Sequence, residues 1–338
     1  VKIGILCPAN IARQRFMPAL RKCADIFEYA GVAFATKDEV FDGSLNDEAL
    51  TAQKAAAIQF NQDIGDGGEI FEGFMAMLQS DIDCVYIPLP PSLHHYWGMQ
   101  ALKAGKHILM EKPFTTTLAD TCELLEFAKA SSLAVHENYA FRFHSQLTFI
   151  QDLVQSGTIG DVRMMRIDFG FPFRGSEDFR YHKASGGGAL LDCGGYTLNL
   201  ATALLGENAQ LIQSSLSTAD NFDVDIFGNA VMTNDEGQIA QLSFGMDNDY
   251  RCSLDIWGSK GSIFTDRIFT APFDFEPDIY VKQGKTTKTH KLPPDDAFQK
   301  TIRYFYQAIV CDEIKRQSRQ RILTQAKLIE RCFEYANN

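Results

Sequence analysis

The sequence predicts a two-part α/β protein: a doubly wound parallel sheet followed by a mixed α+β half whose strands are antiparallel. Three observations predict it. A chain of 338 residues is long enough for two cores at roughly 100 to 200 residues per domain. Its first 140 residues alternate short β-rich runs with helix-period segments, the pattern of a parallel sheet covered by helices. Beyond residue 140 the rhythm changes to alternating strands with hairpin-sized connections.

In chain order, KIGIL (2–6) reads as a buried strand and IARQRFMPALRKC (11–23) as a helix. GVAFAT (31–36) and DCVYIPL (83–89) are further strands, and HHYWGMQALKAG (94–105) is a helix stopped by Gly105. KHILMEK (106–112) is the next strand, then a helix from Thr115 to about Ala130 and a strand in AVHENYA (134–140). The second half opens with VRMMRIDFGF (162–171) and includes QIAQLSFGM (238–246) and RCSLDIWG (251–258), with TNDEGQ (233–238) as a hairpin connection. These patterns divide the chain into 1–140 and 141–338. The segment KDEVFDGSLNDEALTAQ (37–53) is long and polar for a connection, either a helix-bearing insertion or a mobile flap.

The 32 Lys and Arg against 43 Asp and Glu leave a net charge of −11. Such a chain has no electrostatic footprint for a phosphate backbone, so nucleic acid is not an expected partner. No apolar run reaches the roughly 18 to 20 residues of a membrane span, and VKIGIL lacks a charged-then-apolar leader. A soluble, cytoplasmic protein is expected. The eight cysteines show neither CxxC pairs nor zinc-ligand spacing, so reduced thiols and no metal are expected.

A dinucleotide site needs a tight strand-to-helix turn whose backbone N–H groups reach a pyrophosphate. The turn here is GILCPANIA, with Cys7, Ala9 and Ala12 where a GxGxxG fingerprint places glycines, and Pro8, Asn10 and Ile11 between and beside them. Alone, this turn fits an unrelated α/β protein equally well. At the second strand end a carboxylate would bind the ribose diol of NAD, whereas hydroxyl and cationic groups suit the extra phosphate of NADP. The chain has Thr36 and Lys37 there and no acid until Asp38, which favours NADP while leaving NAD possible. A merely solvated Lys37 is the alternative.

Two further motifs identify relatives. DCVYIPLPPSLHH, then ALKAGKHILMEKPF with Glu111, Lys112 and Pro113, then GGGALLDCGGYTLNLATALLG (186–206) resemble the Gfo/Idh/MocA oxidoreductases. NYAFRFHSQ (138–146) and SGTIGDVR (156–163) match as well, so the resemblance spans nearly the whole chain. It implies a Rossmann dinucleotide-binding domain joined to an α+β domain with a large open, mostly antiparallel sheet, and use of NAD(P). Tyr196 after DCGG resembles the branch of glucose-fructose oxidoreductase and dihydrodiol dehydrogenase, where many members carry His. DFRYHKASGGGALLDCGGY, FGMDNDYRCSLDIWGSKGS and RIFTAPFDFEPDIYV resemble nucleotide-diphospho-hexose 3-ketoreductases. Cys7, Ser145 in place of Pro, and the 37–53 segment depart from the family pattern. The resemblance also implies a cis bond before Pro113.

Hydride reduction of a ketone builds negative charge on the carbonyl oxygen, so the site needs a positive charge and a proton donor near that atom. Lys112 lies at the C-terminal end of a parallel strand, where open α/β sheets bind ligands. Tyr196 follows Asp192 by four residues, which puts both on one face if the segment is helical. A tyrosine becomes a usable acid when a neighbouring ammonium stabilises its phenolate. The expected roles are Tyr196 as proton donor, Lys112 as electrostatic partner and Asp192 as the group orienting substrate or lysine, with the roles of Lys and Tyr exchangeable. The glycines at 186, 187, 188, 194 and 195 point to close backbone approach to a cofactor or sugar.

Cofactor contacts are expected at Cys7 to Ile11, Thr36, Lys37, Pro88, Leu89, His94, Glu111 and Lys112. His144, Arg180 and Tyr181, with Asp192 and Tyr196, are the candidates for sugar and diphosphate contacts, an Arg fork matching phosphate oxygens. Trp97 and Trp257 read as core aromatics. The expected function is an NADP-dependent oxidoreductase reducing a keto group of a nucleotide-linked hexose. The alternatives are a dehydrogenase of free sugars, inositols or vicinal diols, and a dinucleotide-binding sensor without turnover. A homodimer or homotetramer is expected from the open sheet face.

Overall fold

A computed structural model describes residues 1–39, 46–65, 67–206 and 208–336. The chain divides into two compact units, Val1–Asn138 with Thr301–Leu323, and Tyr139–Lys300 with the residues from Thr324 onward. The stretch 301–323, assigned from the sequence to the second half, thus belongs with the first unit. Nothing in its local pattern reveals this, because helix docking is decided by long-range packing.

The first unit contains six parallel strands: β1 (Lys2–Leu6), β2 (Glu28–Phe34), β3 (Glu69–Glu72), β4 (Cys84–Ile87), β5 (His107–Met110) and β6 (Val135–Glu137). Their spatial order is β3-β2-β1-β4-β5-β6, the doubly wound arrangement with its switch point between β1 and β4. The four residues of β4 and the last four of β1 are all buried, as expected of strands covered on both faces. The first helical segment starts with a wide π turn, Ala12–Phe16, and continues as α1 (Met17–Arg21). Then come α2 (Asp47–Ile64), α3 (Phe74–Leu78), α4 (His94–Lys103) and α5 (Leu118–Ala130).

The helix-bearing alternative for 37–53 is realised from Asp47 onward, while 40–45 lie outside the described residues. Asn46 caps α2 by accepting the Ala49 N–H at 2.8 Å, and Gly65 ends it at φ 69°. Strand β3 was not foreseen, since EIFE alternates too briefly to stand out. The core of this unit joins Leu6, Val85, Ile87, Trp97, Ile108, Met110 and Leu124.

The second unit begins with α6 (Ser145–Gln155), β7 (Val162–Gly170) and α7 (Gly195–Leu205). Strands β8 (Gln210–Thr218), β9 (Asp225–Thr233), β10 (Ile239–Gly245), β11 (Arg251–Gly258), β12 (Gly261–Thr265), β13 (Asp278–Gln283) and β14 (Thr286–Lys291) follow. The chain ends in α8 (Ala297–Val310) and α9 (Asp312–Ala336). The sheet order is β14-β13-β12-β11-β7-β10-β9-β8. It is mostly antiparallel, but β7 and β10 pair in parallel, Ile167 opposite Leu242. The foreseen hairpin turn links β9 to β10, with Gly237 at φ 74°.

Along β11, Cys252, Leu254 and Ile256 enter the core while Arg251, Asp255 and Trp257 face out. Trp257 is 62% exposed, so it belongs to the outer sheet face and not to the core. Its register decides this: at period two it shares the face of Asp255. Trp97 is buried as expected and meets Phe74 edge to face at 4.9 Å. None of the eight cysteines forms a disulfide. Among the described residues no helix is long and apolar enough to cross a membrane.

Candidate active site

The C-terminal edge of the six-stranded sheet collects the ends of β1, β2, β4 and β5. Beyond β1, the Cys7 N–H donates to Ala33 O at 3.1 Å and the residue adopts φ 91°. This is the glycine position of a nucleotide fingerprint, and a side chain there carries strain of order 1 to 3 kcal/mol. Burial pushes the Cys7 thiol up to about 11, so it is held as an unreactive thiol. Pro8 and Ala9 complete the turn, and Asn10 and Ile11 open the helix, Ala9 O accepting the Arg13 N–H at 3.1 Å. We expect Cys7→Gly to preserve or tighten dinucleotide binding and to leave the melting temperature unchanged or higher. Fluorescence titration with NADPH and thermal melting check this, and loss of binding in a folded variant would assign the thiol a role of its own.

At the end of β2, Lys37 pairs with Asp47 in the first turn of α2. The acid that matters here is Glu39, which the sequence reading passed over. Its carboxylate accepts the N–H groups of Thr36 (2.9 Å), Phe74 (2.9 Å) and Met75 (2.8 Å). It therefore caps α3 and is spent on backbone donors, which leaves it unsuited to a ribose diol.

Pro88 and Leu89 after β4 are buried, and Leu89 O lies 2.8 Å from His94 Nε2. The other ring nitrogen of His94 lies 2.7 Å from Pro113 O, and the residue is fully buried. His94 is thus a strut between two loops, and its ring has no nitrogen left for a cofactor. Burial lowers its pKa, against the pull of the backbone carbonyls.

Lys112 is half-buried at the end of β5, and the Lys112–Pro113 bond is cis. Glu111 beside it accepts the Tyr86 hydroxyl and the Asn138 amide, each at 2.6 Å on Oε1. Burial raises the Glu111 pKa, opposed by those two hydrogen bonds and by Lys112.

The second unit holds the other candidates. A π turn at Leu190–Gly194 leads into α7, so Asp192 and Tyr196 do lie in one helical segment. The Tyr196 ring is half-buried among Tyr139 and Phe169 (both 5.1 Å), Phe269 (5.5 Å) and Phe141 (5.8 Å). Asp192 Oδ2 accepts from Arg180 Nε at 2.9 Å, and Arg180 Nη1 donates to both oxygens of Asp178 at 3.0 and 3.2 Å. Burial opposes the Arg180 charge, and the two carboxylates more than offset it. Arg180 Nε and Nη1 are thus both engaged by carboxylates, which compete with the expected contact with a diphosphate.

The Tyr181 hydroxyl is also committed, donating to Met246 O at 2.6 Å and accepting from Arg174 N–H at 3.1 Å. His144 is buried and caps α6 by accepting the Gln146 N–H at 3.2 Å, while its Nε2 has no partner among the described residues. Both residues serve the unit's own framework, and neither presents a polar face to solvent.

The glycines, too, answer to internal packing. A Cβ on Gly187 would overlap the backbone oxygens of Arg180 and His182, and one on Gly195 would overlap the Tyr139 hydroxyl. Gly188 sits against Asp225, whose carboxylate accepts the Leu190 N–H at 2.7 Å. Gly194 packs on Leu190 and Phe244. For Gly187, Gly188, Gly194 and Gly195 the protein's own atoms already fill the space that the expected approach to a cofactor or sugar would use.

The profile for the GFO/IDH/MocA C-terminal domain matches residues 148–264, and that of an oxidoreductase family with an NAD-binding Rossmann fold matches 35–139. A dTDP-3,4-didehydro-2,6-dideoxy-alpha-D-glucose 3-reductase from Actinomadura kijaniata is 34% identical over 331 residues, 98% of this chain and 94% of the relative. The chain belongs to the Gfo/Idh/MocA oxidoreductase family. Another relative with the same enzyme name, from Streptomyces violaceoruber, is 36% identical over 91% of this chain and 85% of its own. The crystal structure of a 3-ketoreductase from Actinomadura kijaniata in complex with NADP and TDP-benzene superposes with a TM-score of 0.89 at 33% identity, covering 99% of this chain and 97% of that one.

Proposed function

We propose that this oxidoreductase uses NADPH to reduce the 3-keto group of a nucleotide-diphospho-hexose. The observation that carries the reading is end-to-end similarity to named 3-reductases, over 98% of this chain for the Actinomadura kijaniata enzyme. The strand-end chemistry agrees with the cofactor. Glu39 is occupied by three backbone donors, and Thr36 and Lys37 are the side chains at the end of β2. The turn from Cys7 to Ile11 and the segments at Pro88, Leu89, Glu111 and Lys112 lie along the same sheet edge, at and beside the switch point where such sheets take a dinucleotide.

Bound NADPH supplies the hydride. In this reading Lys112 holds its ammonium against the carbonyl oxygen as negative charge develops there, Tyr196 delivers the proton to that oxygen, and water returns a proton to Tyr196. Asp192, held by Arg180 at 2.9 Å, orients the substrate hydroxyls. The aromatic walls around Tyr196 fix its ring.

NADPH oxidation measured against a panel of nucleotide-linked and free keto-sugars tests the function. Turnover confined to nucleotide-linked ketones supports it, turnover of free sugars or diols favours a dehydrogenase, and binding without turnover with any of them indicates a sensor. For the cofactor, Lys37→Asp should raise KM for NADPH and spare NADH. Equal affinity of the unaltered protein for the two would refute the assignment. We further propose a cytoplasmic homodimer or homotetramer. The support is the outer sheet face of the second unit, where Phe227, Trp257 and Phe264 are exposed.

A further inference from the structure

The first unit contains a buried carboxyl that the mechanism above does not use. Glu137 ends β6, is 7% exposed, and accepts the backbone N–H of Phe114 on Oε1 at 2.8 Å. That N–H lies two residues beyond Lys112. Pro113, between them, has its carbonyl 2.7 Å from His94 Nδ1 on α4, and Glu111, before them, is gripped by Tyr86 of β4 and by Asn138. Every residue flanking the lysine is thus held by a buried side chain from a neighbouring element. A lysine that merely dissolved its charge in water would need none of this.

We propose that Glu137 is a positioning residue for Lys112, fixing the backbone that carries it and, with Glu111, setting the charge behind its ammonium. Burial pushes the Glu137 carboxyl up to about 8, with Glu111 adding to the rise and the Phe114 N–H and Lys112 opposing it. The groups facing it are Glu111 and Lys112 at the end of β5 and the Phe114 N–H. His94 from α4 feels the same lysine. His136, next in the chain, turns to Thr301 and Ser318 and feels Arg321 instead.

The sign follows from these charges. Below about 8 Glu137 is neutral and leaves the positive potential of Lys112 for the substrate oxygen. Above it the new carboxylate opposes that potential, so turnover falls on the alkaline side.

Two substitutions separate positioning from charge. Glu137→Gln keeps an oxygen for the Phe114 N–H and cannot ionise, whereas Glu137→Leu loses both. With NADPH and the substrate found in the panel above, Glu137→Gln should keep kcat at pH 7 within about threefold of the unaltered enzyme. Its alkaline limb should move up by about one pH unit or more. Glu137→Leu should lose about 100-fold in kcat, the scale expected of a misplaced group, with a much smaller change in KM for NADPH. Infrared difference spectra over a pH series, read on the full-length protein, should show a protonated carboxyl that titrates near 8 and is missing in Glu137→Gln.

The rate measurements rest on the ketoreductase reading, but the spectra do not. If no substrate is turned over, that reading fails while the carboxyl titration still decides the charge. An unchanged alkaline limb in Glu137→Gln, full kcat in Glu137→Leu, or a carboxyl titrating near the ordinary value of about 4 would each overturn the proposal. Should Glu137→Leu not fold, the Gln variant and the spectra carry the decision.

Discussion

Tyr196→Phe is expected to lower turnover by about 100- to 10,000-fold, the usual worth of a positioned proton donor, while NADPH affinity stays within a few-fold. The substitution is conservative for structure. The ring of Tyr196 is held by contacts with Tyr139, Phe141, Phe169 and Phe269, all of which phenylalanine would keep. On the proposed mechanism Lys112→Ala should cost at least as much, because that mechanism makes Lys112 the charge partner of the developing oxyanion. If the two act on one oxygen, the double variant loses less than the product of the single losses. Single-turnover rates with saturating NADPH measure all three. A Tyr196→Phe protein with undiminished turnover would mean that another group is the acid.

The second large effect is structural, and it needs no ligand at all. In Gly187→Ala the new Cβ meets the backbone oxygens of Arg180 and His182, which cannot swing aside as a side-chain end can. The Gly188 N–H that donates to Arg180 O at 2.9 Å and the Gly187 N–H that donates to His182 O at 3.0 Å sit in the same turn. Overpacking of this kind typically costs about 1 to 3 kcal/mol. At roughly 2 to 4 °C per kcal/mol for a domain of this size, the melting temperature should fall by several degrees. The loss should be the same with and without NADPH or substrate, since the colliding atoms belong to the protein. The ion pair of Arg180 with Asp192 depends on this turn, so kcat should fall as well. A variant that melts normally but binds its ligand poorly would restore the expectation that the glycines make room for a ligand.

That contrast shows where sequence reading reaches its limit. The run GGGALLDCGGY is conspicuous in the sequence, and its position in the fold was foreseen, yet its cause was not. Glycines forced by an internal backbone crossing and glycines reserved for a ligand leave the same letters. Only the positions of Arg180 O, His182 O and the Tyr139 hydroxyl distinguish them. The same holds for Arg180. The residue type suits a phosphate, and DFRY places Asp178 two residues before it, a spacing that could have signalled local pairing. Asp192, twelve residues away, is brought to it only by the folded turn.

At the nucleotide edge, Thr36 and Lys37 were legible as a strand end, because strand periodicity is local. Glu39 was not, since the N–H groups of Phe74 and Met75 that it caps lie 35 and 36 residues further along the chain. Glu137 is the extreme case. In the sequence it is one acid in a short strand, indistinguishable from a solvated one. Its burial and its bond to Phe114 arise from sheet order.

By itself, then, the sequence determined the doubly wound first unit, the alternating second one and the family. Those follow from hydrophobic period, turn chemistry and motif, all encoded within a few dozen neighbouring residues. Tertiary structure alone decided that 301–323 joins the first unit, that β7 and β10 pair in parallel, and which polar groups are already spent on partners within the protein. Such pairings join residues far apart in the chain, where burial and geometry, and not residue type, decide whether a charge is available.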